Sequence, residues 1–377
     1  MKKSIIALAV STALAAPLTA QADTILYGSA RASVNYIDES KKDGYWDVIN
    51  DDSRLGVLGY EDLGGGLSAI YEYEFGVDVT EGTNFNSNRP KFVGLKGGFG
   101  QISLGTQETP YYHVAGITDI FNSSQAFGPT AFLGGSFNGY SLNFNSDGQT
   151  SAFRNFGEGS LSRLDNSIYY ITPDFSGFSA EAMLVMNGNL NDEGYSNDID
   201  LWNVAVKYSN GPFFAGISYI ALNGDKNGPA STFELGGEDI PYQLSLDLNQ
   251  WVVGVGYTGG PFSVGLIYEQ GTLNTFGLLG ATTIGNIRGL FGENDAKNIY
   301  LTGEYRFGNN TLRAAYGRLD TGLDNTGLDE TIDNYLVGYQ YNFSKRTSAW
   351  IEYIGRSSDS ALYGDQNAVS IGTRVDF

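Results

Sequence analysis

Hydrophobic and polar residues alternate along most of this chain with a period of two. In the first such segment, Leu26 and Val34 occupy one set of alternate positions and Arg31 occupies the other. Successive side chains of a β-strand point to opposite faces, so the pattern predicts strands with one apolar and one polar face. The same alternation recurs at 67–78, 250–258, 299–307, 334–343 and 369–377.

Short and long connections alternate between the predicted strands. The short ones, such as 62–66 and 259–261, are rich in glycine and predict tight turns, whereas the long ones are polar. A transmembrane β-barrel sorts its connections in this way because its two rims face different compartments. The pattern therefore predicts an all-β fold, a transmembrane antiparallel β-barrel of about 16 strands. The predicted strands are 23–38, 51–61, 67–79, 89–97, 101–107, 164–172, 178–188, 199–208, 213–222, 247–258, 262–270, 297–307, 311–319, 333–343, 347–356 and 366–377. The longer connections lie near 39–50, 80–88, 108–162, 189–198, 223–246, 271–296, 320–332 and 357–365.

The segment from about 108 to 162 is the one long stretch that does not alternate. A connection of this length is usually functional or disordered. It contains aromatic residues such as Tyr111, Phe121 and Phe132 and few charges, whereas disordered segments are poor in aromatics. We therefore expect this long third external loop to fold into the lumen of the barrel and to set the size of the pore.

The composition narrows the possible classes of function. The chain of 377 residues has no cysteine, which excludes a disulfide scaffold and a thiolate metal site. It has one histidine, His113, which excludes a site with several histidine ligands. The net charge of −20 argues against a nucleic-acid partner, whose phosphates repel acidic proteins. No phosphate-binding loop, zinc-ligand spacing or nucleophile elbow is present in the sequence, so we expect no catalytic site, cofactor or metal.

Residues 1–22 have the organisation of a secretory signal peptide that is cleaved on export. Lys2 and Lys3 precede an apolar run, and the motif AQA at 20–22 is a small-x-small cleavage site. The run is too short for a membrane anchor, and no other run reaches the length of a spanning helix. We predict a single barrel domain at 23–377, whose charge without the two lysines is about −22.

Six segments, taken in order, carry a resemblance to a known family. They are ILYGSARASVNY, SRLGVLGYEDLGGGLSAIYEYEF, RPKFVGLKGGFGQISLGTQ, ITDIF in the long loop, RLDNSIYYITPDFSGFSAEA, and IGTRVDF with its terminal phenylalanine. Together they resemble the general, non-specific porins of Gram-negative outer membranes, in particular the OmpU/OmpC-like trimeric porins. The resemblance covers the whole predicted mature chain.

The resemblance implies a fold, a location and partners. The expected assembly is a homotrimer of outer-membrane barrels, each a water-filled channel for passive diffusion of ions and small hydrophilic solutes. Outer-membrane lipid and lipopolysaccharide are the implied surroundings. Phe377 matches the terminal aromatic residue that the family presents to the barrel-assembly machinery, and we expect it to act as an assembly signal.

The resemblance also implies a constriction where acidic residues on the inward loop face arginines on the wall. Asp119, in ITDIF, takes the acidic position of the loop, and Glu108 is a second acidic candidate because the family's next acidic position falls near Ser123. Opposed carboxylates and guanidiniums select which ions enter a narrow aqueous gap. Alternatively, Asp119 is a solvated loop carboxylate and the arginines form structural ion pairs. The basic side is assigned to Arg31, Arg54, Arg89 and Arg163.

The strongly acidic mature chain should concentrate cations at the pore mouth, so we expect a weak preference for cations. Three other functions stay open. A substrate-selective channel, for sugars for example, would line its path with aromatics, but most aromatics fall on the apolar face. A barrel enzyme would depend on His113 in a loop, and the external loops are of modest length for an adhesin.

Overall fold

The computed structural model describes residues 23–40, 42–82, 85, 89–123, 136–137, 140–141, 161–186, 199–223, 230–235, 238–244, 247–273, 282–284, 287–288, 295–322, 331–358 and 365–377. The predicted signal peptide, 1–22, lies outside these residues and stays a prediction. The long loop is described at 108–123, at its last two residues and at two short strands between them.

Strands dominate the described part of the chain. A short helix, α1 (Pro110–Ala115), and a 3-10 turn (Gly116–Thr118) follow the sixth strand. No described helix is long and apolar enough to cross a membrane. In chain order the strands are β1 (Asp23–Glu39), β2 (Lys42–Asn50), β3 (Arg54–Gly64), β4 (Leu67–Gly76), β5 (Lys91–Gly97), β6 (Gly100–Glu108), β7 (Ser136–Phe137), β8 (Tyr140–Ser141), β9 (Arg163–Ile171), β10 (Phe178–Val185), β11 (Leu201–Asn210), β12 (Phe213–Asn223), β13 (Ala230–Leu235), β14 (Glu238–Leu244), β15 (Asp247–Gly259), β16 (Phe262–Gly271), β17 (Thr282–Ile284), β18 (Ile287–Arg288), β19 (Ala296–Phe307), β20 (Asn310–Asp320), β21 (Thr331–Asn342), β22 (Thr347–Ser358) and β23 (Gln366–Asp376).

The main sheet closes on itself. The last strand, β23, pairs antiparallel with β1 from Ser29 to Glu39. Among the described residues seventeen strands belong to this sheet. However, the first half of β1 pairs with β3 and the second half pairs with β2. The two strands β2 and β3 therefore occupy a single strand position beside β1. The result is a closed antiparallel barrel of 16 strands, which confirms the fold class predicted from the alternation.

One predicted connection is wrong. Residues 39–50 were expected to form a long polar loop, but Lys42–Asn50 is strand β2 and pairs with β1 from Glu39 to Ala32. The segment has five charged residues and a glycine among its twelve, and polar residues and glycine favour turns. Pairing with the second half of β1 outweighs that local preference. Each residue of β2 that pairs satisfies backbone amide and carbonyl groups of β1 that would otherwise lack a hydrogen-bond partner.

Two other predicted loops contain strands. The connections at 223–246 and 271–296 contribute β13, β14, β17 and β18, which form a separate four-stranded sheet. Pairing between β14 and β17 joins the two connections, from Tyr242 with Ile284 to Leu244 with Thr282. Such pairing between distant segments leaves no periodic pattern in either segment alone.

The two faces of the barrel wall differ as the alternation predicts. On one face apolar side chains are exposed, for example Val337 at 60 % and Ile371 at 54 %. On the other face polar side chains are buried, with Asn203 at 0 % and Glu352 at 1 %. An outward apolar face and an inward polar face are typical of a transmembrane barrel.

We expect Val337→Lys to destabilise the barrel in lipid vesicles by about 2–4 kcal/mol, because it places a charge on the lipid face near mid-strand. The measurement is urea-induced unfolding in vesicles. Val337→Leu, which keeps the side chain apolar, should change the unfolding free energy little. Equal stability of the lysine variant would contradict the assignment of this face to lipid.

Candidate functional site

The segment 109–123 leaves the wall at the end of β6 and runs along the buried polar face. Thr109 caps α1, because its Oγ1 accepts a hydrogen bond from the Tyr112 amide at 2.9 Å. Pro110 follows at the first helical position, where no amide hydrogen is needed. These two residues start the helix at the point where β6 ends, and they set the direction in which the segment leaves the wall.

Glycines on three neighbouring strands let this segment approach the wall closely. A Cβ atom at Gly216 would lie 3.0 Å from Val114 Cγ2, and one at Gly254 would lie 3.0 Å from the Val114 carbonyl oxygen. A Cβ at Gly265 would lie 3.1 Å from the carbonyl oxygen of Ile117. Larger residues would push the segment away from the wall, so the glycines fix its distance from β12, β15 and β16.

A buried tyrosine fastens the start of the segment. The hydroxyl of Tyr111 donates to Glu269 Oε1 at 2.6 Å, and the Tyr111 amide donates to Asn203 Oδ1 at 2.8 Å. Asn298 Nδ2 donates to the second oxygen of Glu269 at 2.7 Å. Tyr111, Asn203, Glu269 and Asn298 are fully buried. A buried carboxylate is tolerated when donors satisfy it, so Glu269 and Tyr111 depend on each other.

A second carboxylate on the wall fastens the other end of the segment. Glu352 accepts hydrogen bonds from the Asn122 amide at 2.9 Å, the Ser123 amide at 2.8 Å and Asn122 Nδ2 at 3.0 Å. Arg313 lies 3.9 Å from the same carboxylate and donates to Glu304 at 2.7 Å. The segment thus crosses from β6 to β22, with a glutamate of the wall at each end.

His113 lies between two carboxylates near the start of the segment. Its Nδ1 is 2.9 Å from Glu181 Oε2, and its Nε2 is 3.7 Å from Glu108 Oε2. The hydroxyl of Tyr169 is 3.1 Å from Nδ1, and Lys207 forms an ion pair with Glu181. Burial alone would lower the pKa of the imidazole, but the Glu181 charge and the hydrogen bonds with Glu108 and Glu181 raise it to about 9. At neutral pH His113 is therefore a charged anchor of α1.

The predicted acidic residue Asp119 follows the 3-10 turn and has an exposed side chain. The hydroxyl of Tyr112 donates to its Oδ2 at 3.0 Å. At Ser123, where the family resemblance places another loop acid, the carboxylate comes from the wall instead, because Glu352 binds the Ser123 amide. The family resemblance implies an acid on the loop and a basic residue on the wall. Here the loop amide donates the hydrogen bond and the wall carboxylate accepts it.

The family resemblance places Glu108 and Arg163 on opposite sides of a constriction, whereas in the structure they lie side by side. They are directly opposed residues on β6 and β9, and the Arg163 guanidinium lies 3.6 Å from Glu108 Oε1. Each therefore neutralises part of the other's charge. Glu108 also faces His113, so it connects the base of the segment to the wall.

The other predicted arginines form a cluster on the wall. Arg54 lies 3.6 Å from Glu74, and Arg89 lies 3.5 Å from Glu74 and 2.9 Å from Asp52. Arg31 Nε donates to Ser29 Oγ at 2.8 Å. Arg31 also experiences electrostatic repulsion from Arg54. Both Arg54 and Arg89 thus form ion pairs within the wall, which was the alternative role that the sequence allowed for the arginines.

Sequence reasoning missed the three wall carboxylates that hold the segment, Glu181, Glu269 and Glu352. Each is a single acidic residue on the polar face of a predicted strand. That position was a usable signal, because an acid facing a buried surface needs donors. The described residues contain no group of three or more histidine, cysteine or acidic side chains that fits a metal ion.

Comparison with known proteins identifies the family. The family model described as Gram-negative porin matches residues 7–360. The chain belongs to the Gram-negative porin family. A relative, the major outer membrane protein P.IB of Neisseria gonorrhoeae, is 30 % identical, over 93 % of this chain and 92 % of the relative. The P.IB protein of Neisseria meningitidis serogroup B is 27 % identical over the same shares.

Solved structures share the fold of this porin. The anion-selective porin from Comamonas acidovorans matches with a TM-score of 0.68 at 20 % identity, covering 95 % of this chain and 100 % of that one. Salmonella typhi OmpF, in complex with daunomycin, matches with a TM-score of 0.65 at 15 % identity, covering 94 % and 97 %. The family model and the outer-membrane relatives, rather than these structures, show that this porin is an outer-membrane channel protein and not an enzyme.

In this porin, Glu352→Gln should loosen the end of the segment, because an amide cannot satisfy three donors and Arg313 as a carboxylate does. Hydrogen bonds to charged groups contribute about 1.5–3 kcal/mol, so amide exchange in 109–123 should accelerate at least about tenfold. Hydrogen–deuterium exchange in detergent measures this. Glu61→Gln, an exposed acid, serves as the control, and unchanged exchange in E352Q would contradict the anchoring role.

The single histidine of this porin allows a direct pH measurement. Selective labelling of histidine and NMR titration should give a midpoint near pH 9 for His113, and Glu181→Gln should lower it. The pKa of His113 in the folded protein exceeds the ordinary value of about 6.5. The ion pair between His113 and Glu181 therefore stabilises the docked segment fully below about pH 6.5. The stabilisation is lost as pH rises through 9. A midpoint near 6.5 in the wild type would contradict the ion pair.

Proposed function

We propose that this porin forms a water-filled pore for passive diffusion of ions and small hydrophilic solutes across the outer membrane. The observation that carries the proposal is the segment 109–123, which crosses the polar inner face from β6 to β22 and is fastened at both ends. A segment held in this way narrows the lumen, and the part of it that the structure describes contains a six-residue helix followed by a 3-10 turn.

The narrowest part of the pore lies beside this segment. Asp119 is its exposed carboxylate, with Glu108 at its base, and the wall supplies Arg31, Arg54, Arg89 and Arg163. A field between these groups orients polar solutes and slows apolar ones, which must lose water to pass. The constriction loop as a whole extends over about 108–162.

The preference of the pore is weakly for cations. The whole chain carries a net charge of −20, which attracts cations to the mouth. Wall arginines act in the opposite direction, but Glu74 and Asp52 offset Arg54 and Arg89, and Glu108 offsets Arg163. The exposed Asp119 charge therefore has a larger effect on the ion preference than the number of arginines alone would suggest.

The functional unit is a homotrimer in outer-membrane lipid and lipopolysaccharide. Among the structures that share the fold, OmpT of Vibrio cholerae is described in a trimer form, with a TM-score of 0.62 at 18 % identity. Phe377 acts as the signal for the barrel-assembly machinery. The residue is 52 % exposed, while its backbone pairs with Gly28 at the seam of the barrel.

The test is single-channel recording of refolded protein in a planar bilayer, with the reversal potential measured under a salt gradient. Large, weakly cation-selective steps in groups of three support the trimeric pore. Asp119→Asn should shift the reversal potential away from cations, whereas Glu61→Gln, an exposed acid far from the segment, should not. A folded barrel that does not conduct would contradict the function, and selectivity unchanged in D119N would remove Asp119 from the constriction.

A further inference from the structure

Three apolar or aromatic residues surround an acidic residue on the polar face of the wall. Across β3, β4 and β5, Leu58 pairs with Glu72, and Glu72 pairs with Phe92. Opposed residues share a face, with Cβ atoms about 4.5–5.5 Å apart. Ile70 lies two residues from Glu72 on the same face of β4, and Ile25 extends the row beyond Leu58. We call Leu58, Ile70, Glu72 and Phe92 the Glu72 niche.

These apolar residues lie on the face opposite to lipid. The face of β4 that carries Glu72 also carries Glu74, which contacts Arg54 and Arg89. The alternate residues of β5, Val93 and Leu95, are exposed on the other side at 50 % and 40 %. The niche is therefore an apolar surface within the aqueous face of the barrel, where lipid burial does not explain it.

Glu72 has little to satisfy its charge. Within the described part of the chain, its carboxylate accepts one hydrogen bond, from the Tyr27 hydroxyl at 2.7 Å, and forms no ion pair. Arg54 is near enough to attract it, but the Arg54 guanidinium is 3.6 Å from Glu74 instead. A half-buried carboxylate between apolar neighbours gains from a cationic partner, because the local dielectric strengthens the attraction.

Two glycines lie beside the niche, and a negative charge lies near it. Gly94 pairs with Ile70, and Gly105 pairs with Phe92, so neither places a side chain beside the niche. The four niche residues are all half-buried and thus reachable from the lumen. Asp23 lies one row nearer the short turn and accepts a hydrogen bond from Tyr60, while Lys96 is the positive charge on the same face of β5.

We propose that the Glu72 niche is a binding station for organic cations that carry an apolar or aromatic body, with the ammonium group at Glu72 and the body against Leu58, Ile70 and Phe92. The station rests on the proposed channel function, and it gives that function a favoured class of solute. Inorganic cations have the charge without the body, and neutral aromatics have the body without the charge. Both should bind more weakly than a molecule that has both.

The test uses phenethylamine, which is protonated at neutral pH, as the probe on the refolded full-length mature protein. Ethylamine supplies the charge alone, and phenethyl alcohol supplies the body alone. Binding is measured by saturation-transfer NMR in detergent, and block of the current is measured in planar bilayers. We expect phenethylamine to bind and to block at lower concentration than either fragment.

Variants separate the two halves of the station. Glu72→Gln and Ile70→Gln should each raise the apparent dissociation constant of phenethylamine about fivefold, the size of one partly exposed ion pair or of one buried methylene. Ile70→Leu keeps the apolar surface and should leave the constant unchanged. Glu61→Gln, an exposed acid near the same turn but on the other face of β3, is the matched control for charge.

Two results overturn the station. One is equal binding of phenethylamine and ethylamine, and the other is a dissociation constant that neither E72Q nor I70Q changes. If the barrel conducts while either result holds, the station fails and the channel stands. If the barrel does not conduct, the channel function fails, and NMR binding of phenethylamine that depends on Glu72 still decides the station.

Discussion

Every backbone amide and carbonyl of a chain that crosses lipid must find a partner within the protein, because the hydrocarbon region supplies none. The seam between the first and last strands shows how this porin meets that constraint. The Phe377 amide donates to the Gly28 carbonyl oxygen, and the Gly28 amide donates to that of Phe377, both at 3.1 Å. With the seam closed, the first and last strands of the barrel pair with each other, so one face of each strand is outside the barrel and the other is inside.

A closed wall of this size leaves an interior that side chains of the strands alone do not fill. The path of the segment 109–123 along the buried polar face is determined by the wall as much as by the segment. Glycines stand on β12, β15 and β16 where α1 and the following turn approach, and glutamates stand on β16 and β22 where the segment is fastened. The residues that hold the segment are therefore distributed over strands far apart in sequence.

That distribution explains what the sequence could and could not predict. Alternation is a local pattern, so it located the barrel strands to within a few residues. It failed at β2, where charges and glycine resemble a turn and only pairing with β1 makes a strand. The faces of Arg54 and Arg89 followed from the family resemblance, but their partners did not. Glu74 and Asp52 belong to other parts of the wall, and register between segments decides which charges meet.

The contacts of the segment are of two kinds, and each depends on the other. Hydrogen bonds to Glu269 and Glu352 would be weak in an open aqueous lumen, because water competes for the same donors. Val114 and Ile117 lie against the glycines of the wall between the two anchors, where their apolar side chains leave little room for water. A hydrogen bond is stronger where water is excluded, so the apolar contacts reinforce the polar ones. The anchors in turn hold those apolar residues against the wall. A change to either kind of contact should therefore affect the whole segment.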